Sequence, residues 1–93
     1  SMKISQKAFE AFDQILREQD IPDASVRIYT VQGCCSPSLQ MTVTNKPEPG
    51  DQKVEINGLA FYIDSMADAI LADVIIDYGT NGFRLERTEK TDN

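Results

Sequence analysis

The chain has 93 residues, 41% of them hydrophobic and 26% charged, with 9 Lys and Arg against 15 Asp and Glu and a net charge of −6. That length suits one domain spanning residues 1–93 with a single modest core. An acidic surface with no local basic stripe repels phosphate backbones, which argues against nucleic-acid binding and reads more simply as a solubility feature.

No apolar run is long enough to span a bilayer and no signal-peptide pattern opens the sequence, so a cytoplasmic protein without a membrane anchor is expected. Ser1 before Met2 reads as a cloning remnant, which puts the expected native start at Met2.

From Ser5 to about Gln19, Ala8, Phe9, Phe12, Ile15 and Leu16 recur at helical spacing and form one apolar face. Ser5 is placed to cap this helix, and Ile21-Pro22-Asp23 stops it, because a residue before proline avoids the helical region. Ser25 to Gln32 alternates in the manner of a strand, as do Leu39 to Thr44 beyond the turn Gly33–Ser38. The two should form an antiparallel pair.

Asn45 to Asp51, with two prolines and a glycine, is a loop. Lys53–Ile56 and Leu59–Ile63 flank Asn57-Gly58, a strong short-range hairpin signal. Asp64 or Ser65 should cap a second, short helix, with Ser65 and Asp68 resembling a capping box and Met66, Ala69 and Ile70 expected on its buried face. Val74–Tyr78 and Phe83–Leu85 read as two more strands around a glycine turn, and residues 87–93 as a frayed polar tail. The connections are too short for repeated βαβ crossovers. The expected class is therefore α+β, with a mainly antiparallel or mixed sheet forming a small sandwich or partly closed barrel under two helices.

Both cysteines, Cys34 and Cys35, lie in the turn, and the chain has no histidine. Histidine zinc sites, a Ser-His-Asp triad and a Cys-His pair are thus excluded. A vicinal disulfide would need a strained ring, since neighbouring side chains diverge. Three readings of the residues stand: metal ligation by thiolate, thiol redox chemistry in which one cysteine resolves the other, and simple packing. Arg27 and Lys46 are the cations conceivable as neighbours of a thiolate. The acidic run Asp64, Asp68, Asp73, Asp77 lacks the Gly-centred loop of an EF-hand and reads as capping and solvation.

The segments Ile4-Ser5-Gln6-Lys7-Ala8, Val26-Arg27-Ile28-Tyr29, the glycine-cysteine turn, Val54 to Asp64, Ile75-Ile76-Asp77-Tyr78 and Asn81-Gly82-Phe83 together resemble the HesB/IscA-like family of A-type iron–sulfur carriers, from about Lys3 to Arg87. The resemblance implies a distorted β-sandwich or pseudo-barrel with an N-terminal helix and a second short helix. It also implies a non-enzymatic role: binding iron or a [2Fe–2S] or [4Fe–4S] cluster, usually in a homodimer, and delivering it to target or scaffold proteins. Cys35-Ser36 aligns with the family's turn cysteine.

The family's later Cys-x-Cys does not follow Phe83. Cys34-Cys35-Ser36-Pro37-Ser38-Leu39 is similar to the turn of the HesB-like (seleno)protein branch, which aligns Cys34 with the reactive position. By this resemblance Cys34 and Cys35 are the cofactor and metal ligands. Two thiols per chain are half of a four-thiolate site, and a symmetric dimer would supply the rest. The alternative is a thiol-redox or protein-interaction module on the same fold without metal.

Overall fold

The computed structural model describes residues 2–87. The elements in chain order are β1 (Lys3–Ile4), α1 (Gln6–Arg17), β2 (Ser25–Gln32), β3 (Pro37–Thr44), β4 (Gln52–Ile56), β5 (Leu59–Ile63), α2 (Ser65–Leu71), β6 (Val74–Gly79) and β7 (Gly82–Arg87). They form a four-stranded sheet in the order β3-β2-β5-β4 and a three-stranded sheet in the order β1-β6-β7. Both are mixed. Most pairs are antiparallel hairpins, whereas β2–β5 and β1–β6 run parallel. The α+β class and the sandwich of sheets are as expected. The sheets remain separate and open, so the pseudo-barrel alternative is not realised.

The hairpins follow their turn chemistry. Asn57 and Gly58 both have positive φ, 48° and 91°, the pair of values that a two-residue turn between twisted strands requires. The β2–β3 pairing runs without a bulge from Ser25↔Thr44 to Gln32↔Pro37. Strand β3 therefore starts two residues earlier than its apolar alternation suggests. Pro37 is tolerated as the first residue of this edge strand, where a missing N–H breaks little. The two-residue β1 is too short to leave a periodic signature, and only its pairing with Ile75 and Ile76 reveals it.

Ser5 caps α1, its hydroxyl accepting from the Ala8 N–H at 3.1 Å. The same hydroxyl donates to Asp77 on β6, and the Ser5 N–H donates to the Ile76 carbonyl at 2.9 Å. The helix entry is thus tied to the three-stranded sheet. The Ser5 hydroxyl, with help from the Tyr78 backbone N–H and nearby Arg84, holds the Asp77 carboxyl below its ordinary range.

Asp64, not Ser65, caps α2. Its carboxylate accepts from Ala67 N–H at 2.7 Å and from Thr30 N–H at 3.3 Å. Ser65 is the first helical residue, so the Ser65–Asp68 capping box does not form. The buried face of α2 also differs from the expectation. Ala67 and Leu71, four residues apart, are fully buried, whereas Met66 is 51% exposed and Ala69 is exposed. Each residue turns the helix by about 100°, so a start at Ser65 puts 67 and 71 on one line and Met66 beside it. The small Ala67 side chain allows the helix to lie close to β2 and β6.

The core contains Ala8 and Phe12 of α1, Val26 and Ile28 of β2, Phe61 and Ile63 of β5, Ala67 and Leu71 of α2, and Ile76 of β6. Phe12 joins the sheets. Its ring meets Phe61 edge-on at 5.2 Å and stacks on Phe83 of β7 at 4.4 Å. Arg87 ends β7 paired with Val74, so the first residue of the expected tail 87–93 belongs to a strand; the rest of that expectation lies outside the described residues.

The loop before β4 is held by a charged pair. Arg27 of β2 donates from Nε to Asp51 at 2.7 Å and from Nη2 at 3.1 Å, and Glu48 N–H donates to the same carboxylate at 3.0 Å. The Arg27 hydrogen bond, reinforced by Glu48 N–H, lowers the Asp51 pKa against the opposing effect of burial.

Two outcomes follow from this packing. Phe12→Ala should destabilise the fold by about 3–5 kcal/mol, measured by urea unfolding, because it empties the contact between both sheets. A loss under about 1 kcal/mol would contradict that role. Asp51→Ala should cost about 2–3 kcal/mol at neutral pH. The folded Asp51 carboxyl titrates below its ordinary 3.8, so its contribution is present above that pH and fades as pH falls through the lower folded value. The stability gap between wild type and variant should therefore narrow on acidification below about pH 4, and a gap that widens would refute the assignment.

Candidate functional site

The two thiols sit at the tip of the β2–β3 hairpin, beyond the last paired residues Gln32 and Pro37. The intervening turn is closed by one backbone bond, from Gly33 N–H to the Ser36 carbonyl at 3.1 Å. Gly33 is required by this closure. A Cβ there would lie 2.7 Å from the Ser36 carbonyl oxygen, closer than real Cβ contacts come, and the clashing atom is backbone. Pro37 restricts the far side, since its ring holds its own φ and biases Ser36 toward extended backbone.

Within this turn Cys34 and Cys35 are both exposed and both free. Their sulfurs lie 3.4 Å apart, close enough for one thiol to donate weakly to the other. The side chains of these neighbours therefore converge rather than diverge. Exposure also counts against simple packing, because neither thiol is covered.

The cations considered as thiolate neighbours are elsewhere. Arg27 pairs with Thr42 across the hairpin, five strand residues from Gln32 and so about 16 Å along β2, and its guanidinium is held by Asp51 and lies 4.8 Å over the Tyr29 ring. Lys46 follows Thr44, at the opposite end of β3 from the turn, roughly 23 Å along that strand. The acidic run is structural where its bonds are seen: Asp64 caps α2, and Asp77 binds Ser5 and Arg84.

Among the described residues, no three His, Cys, Asp or Glu side chains gather as a metal site. One chain thus offers a soft ion two sulfurs. An apolar cleft of about 410 Å³ opens between β3 and β7, lined by Leu39, Met41, Leu71, Ile76, Phe83 and Leu85, and the thiols lie outside it. The structure brings together both cysteines named from the sequence. It adds the Ser36 carbonyl as the group that closes the turn, a role that residue identity alone does not signal.

The comparisons with known proteins agree in one direction. The profile of the family described as iron-sulphur cluster biosynthesis matches residues 1–92. The chain is 30% identical over 86 residues to the iron–sulfur cluster insertion protein ErpA of Pseudoalteromonas translucida, covering 89% of this chain and 77% of that protein. The fold is similar to that of Escherichia coli SufA, a protein involved in biosynthesis of iron–sulfur clusters, with a TM-score of 0.74 and 16% identity over 100% of this chain and 85% of the other. It is also similar to IscA solved with a [2Fe–2S] cluster, with a TM-score of 0.70 and 16% identity over 95% and 86% of the two chains.

The turn closure has a direct test. Gly33→Ala should break the bond to Ser36, seen as faster amide hydrogen exchange at position 33, with a stability loss of about 1 kcal/mol. Unchanged exchange at that amide would show that the turn accepts a Cβ.

Proposed function

The chain belongs to the iron-sulphur cluster biosynthesis family, and from that premise we propose that it binds an iron–sulfur cluster as cargo and passes it to recipient proteins. It acts as a single-domain carrier rather than a catalyst, in the cytoplasm. No helix among the described residues is long and apolar enough to cross a membrane. The ligands are Cys34 and Cys35. The observation that carries this reading is the pair of free, exposed sulfurs at the tip of a hairpin, in the glycine-cysteine turn.

Cluster iron is held by thiolates, four for a [2Fe–2S] unit. One chain supplies two. A homodimer with a two-fold axis near the turns supplies four, and the isologous contact places equal ligands on both sides. An exposed hairpin tip suits transfer, since a recipient's thiolates can reach the cargo without the carrier unfolding. The turn Cys34-Cys35-Ser36-Pro37-Ser38-Leu39 puts the chain nearer to the HesB-like branch of the family. On this reading the turn of this chain does the work that the family shares with a later Cys-x-Cys.

Anaerobic reconstitution with iron and sulfide tests the reading. Wild-type protein should become coloured, with visible charge-transfer absorption and bound iron, while Cys34→Ser and Cys35→Ser should each lose most of the iron. Colourless, iron-free wild-type protein would overturn the proposal, and full retention of iron by either variant would remove that cysteine from it.

A further inference from the structure

The turn has a capacity that one chain exercises alone. Its two sulfurs are already in contact at 3.4 Å, on neighbouring residues of a turn closed by the Gly33–Ser36 bond. That separation sets the angle the two sulfurs would make at a shared atom. With bonds of about 2.3 Å, the length thiolates make to zinc, sulfurs 3.4 Å apart subtend an angle of about 95° at the bound atom. On the same bond length a linear two-coordinate ion needs sulfurs about 4.6 Å apart and a tetrahedral ion about 3.8 Å, which rotation of the exposed side chains reaches. Within one chain a tetrahedral ion would lack further ligands, since no third His, Cys, Asp or Glu joins the thiols among the described residues. A disulfide is disfavoured in the opposite sense, because the sulfurs would have to close to about 2.05 Å within a strained ring.

An angle below tetrahedral is what a trivalent arsenic centre adopts, since its lone pair compresses the bonds around it. Two sulfurs and one other substituent complete its coordination. We propose that Cys34 and Cys35 form a bidentate site, within a single chain, for a trivalent arsenical: arsenite or a monosubstituted arsenous acid.

The chemistry is a condensation without redox change. Each thiol sulfur forms one As–S bond, one As–OH bond breaks for each, and the displaced hydroxide leaves as water with the thiol proton. Arsenic stays trivalent throughout, so no oxidant or reductant is involved. Exposure of both sulfurs gives the arsenical direct access. The second As–S bond forms intramolecularly, at a high effective concentration, and this is what holds the adduct against competing monothiols. The site does not depend on the cluster reading. Where that reading holds, an arsenical in the turn occupies the same sulfurs and competes with the cargo.

Phenylarsine oxide is the probe, with intact-mass spectrometry as the readout on the full chain. One phenylarsenic group should add per chain, with loss of both thiol hydrogens and no change in oligomeric state. It should survive excess glutathione and be removed by a 1,2-dithiol. Cys34→Ser and Cys35→Ser should each weaken retention by about 100-fold or more, because only one As–S bond remains. Adducts that glutathione strips from wild type as readily as from the variants would overturn the proposal. So would an arsenic bridging two chains. Neither result bears on iron binding, which the reconstitution experiment reads separately.

Discussion

Phe12 is the side chain on which both sheets depend. Its ring lies against Phe61 of the four-stranded sheet and Phe83 of the three-stranded sheet, so a single residue of α1 fills the space where they meet. Phe61 in turn stands opposite Val26 in the parallel β2–β5 register. Strand β2 is thereby fixed from behind by α1 and on one edge by β5. Its other edge pairs with β3, residue by residue, out to Gln32 and Pro37. The thiol turn is thus the free end of a strand whose other end is core. The turn that carries the sulfurs is closed by one backbone bond and anchored through the paired strands below it.

Polar ties complete the frame at three places. Ser5 and Asp77 lock the start of α1 to β6. Asp64 joins the start of α2 to Thr30 of β2. Arg27 and Asp51 pin the loop that leads into β4. Each tie begins on a residue that a sequence reader would assign a local role: a cap, a strand polar position, a loop aspartate. Each acquires a second partner only when distant segments meet.

That difference explains what was legible in advance. The Asn57-Gly58 hairpin, the β2–β3 pair and the Ser5 cap were readable because local chemistry decides them. Strand β1 was not, because two residues carry no period and its partner is far along the chain. The face of α2 is not legible locally, because a large Met66 looks more core-like than Ala67, yet close helix-to-sheet packing favours the small residue. Arg27 looks available to a thiolate in the sequence because Asp51, 24 residues on, gives no local sign of capturing it. Both cysteines were identifiable from residue type and turn position. Their convergence to 3.4 Å was not, since residue type and turn position do not fix side-chain torsions.

The chain carries two cysteines, both in one turn. On the proposed reading a four-thiolate cluster site draws on a second chain, whereas a chelated single atom does not. The most direct test of the carrier account is native mass spectrometry of anaerobically reconstituted protein, which weighs chains and cargo together. The account predicts that the mass of a [2Fe–2S] unit travels with a dimer and is missing from monomer. A cluster carried by a single chain, or a dimer with no iron and sulfide, would contradict it.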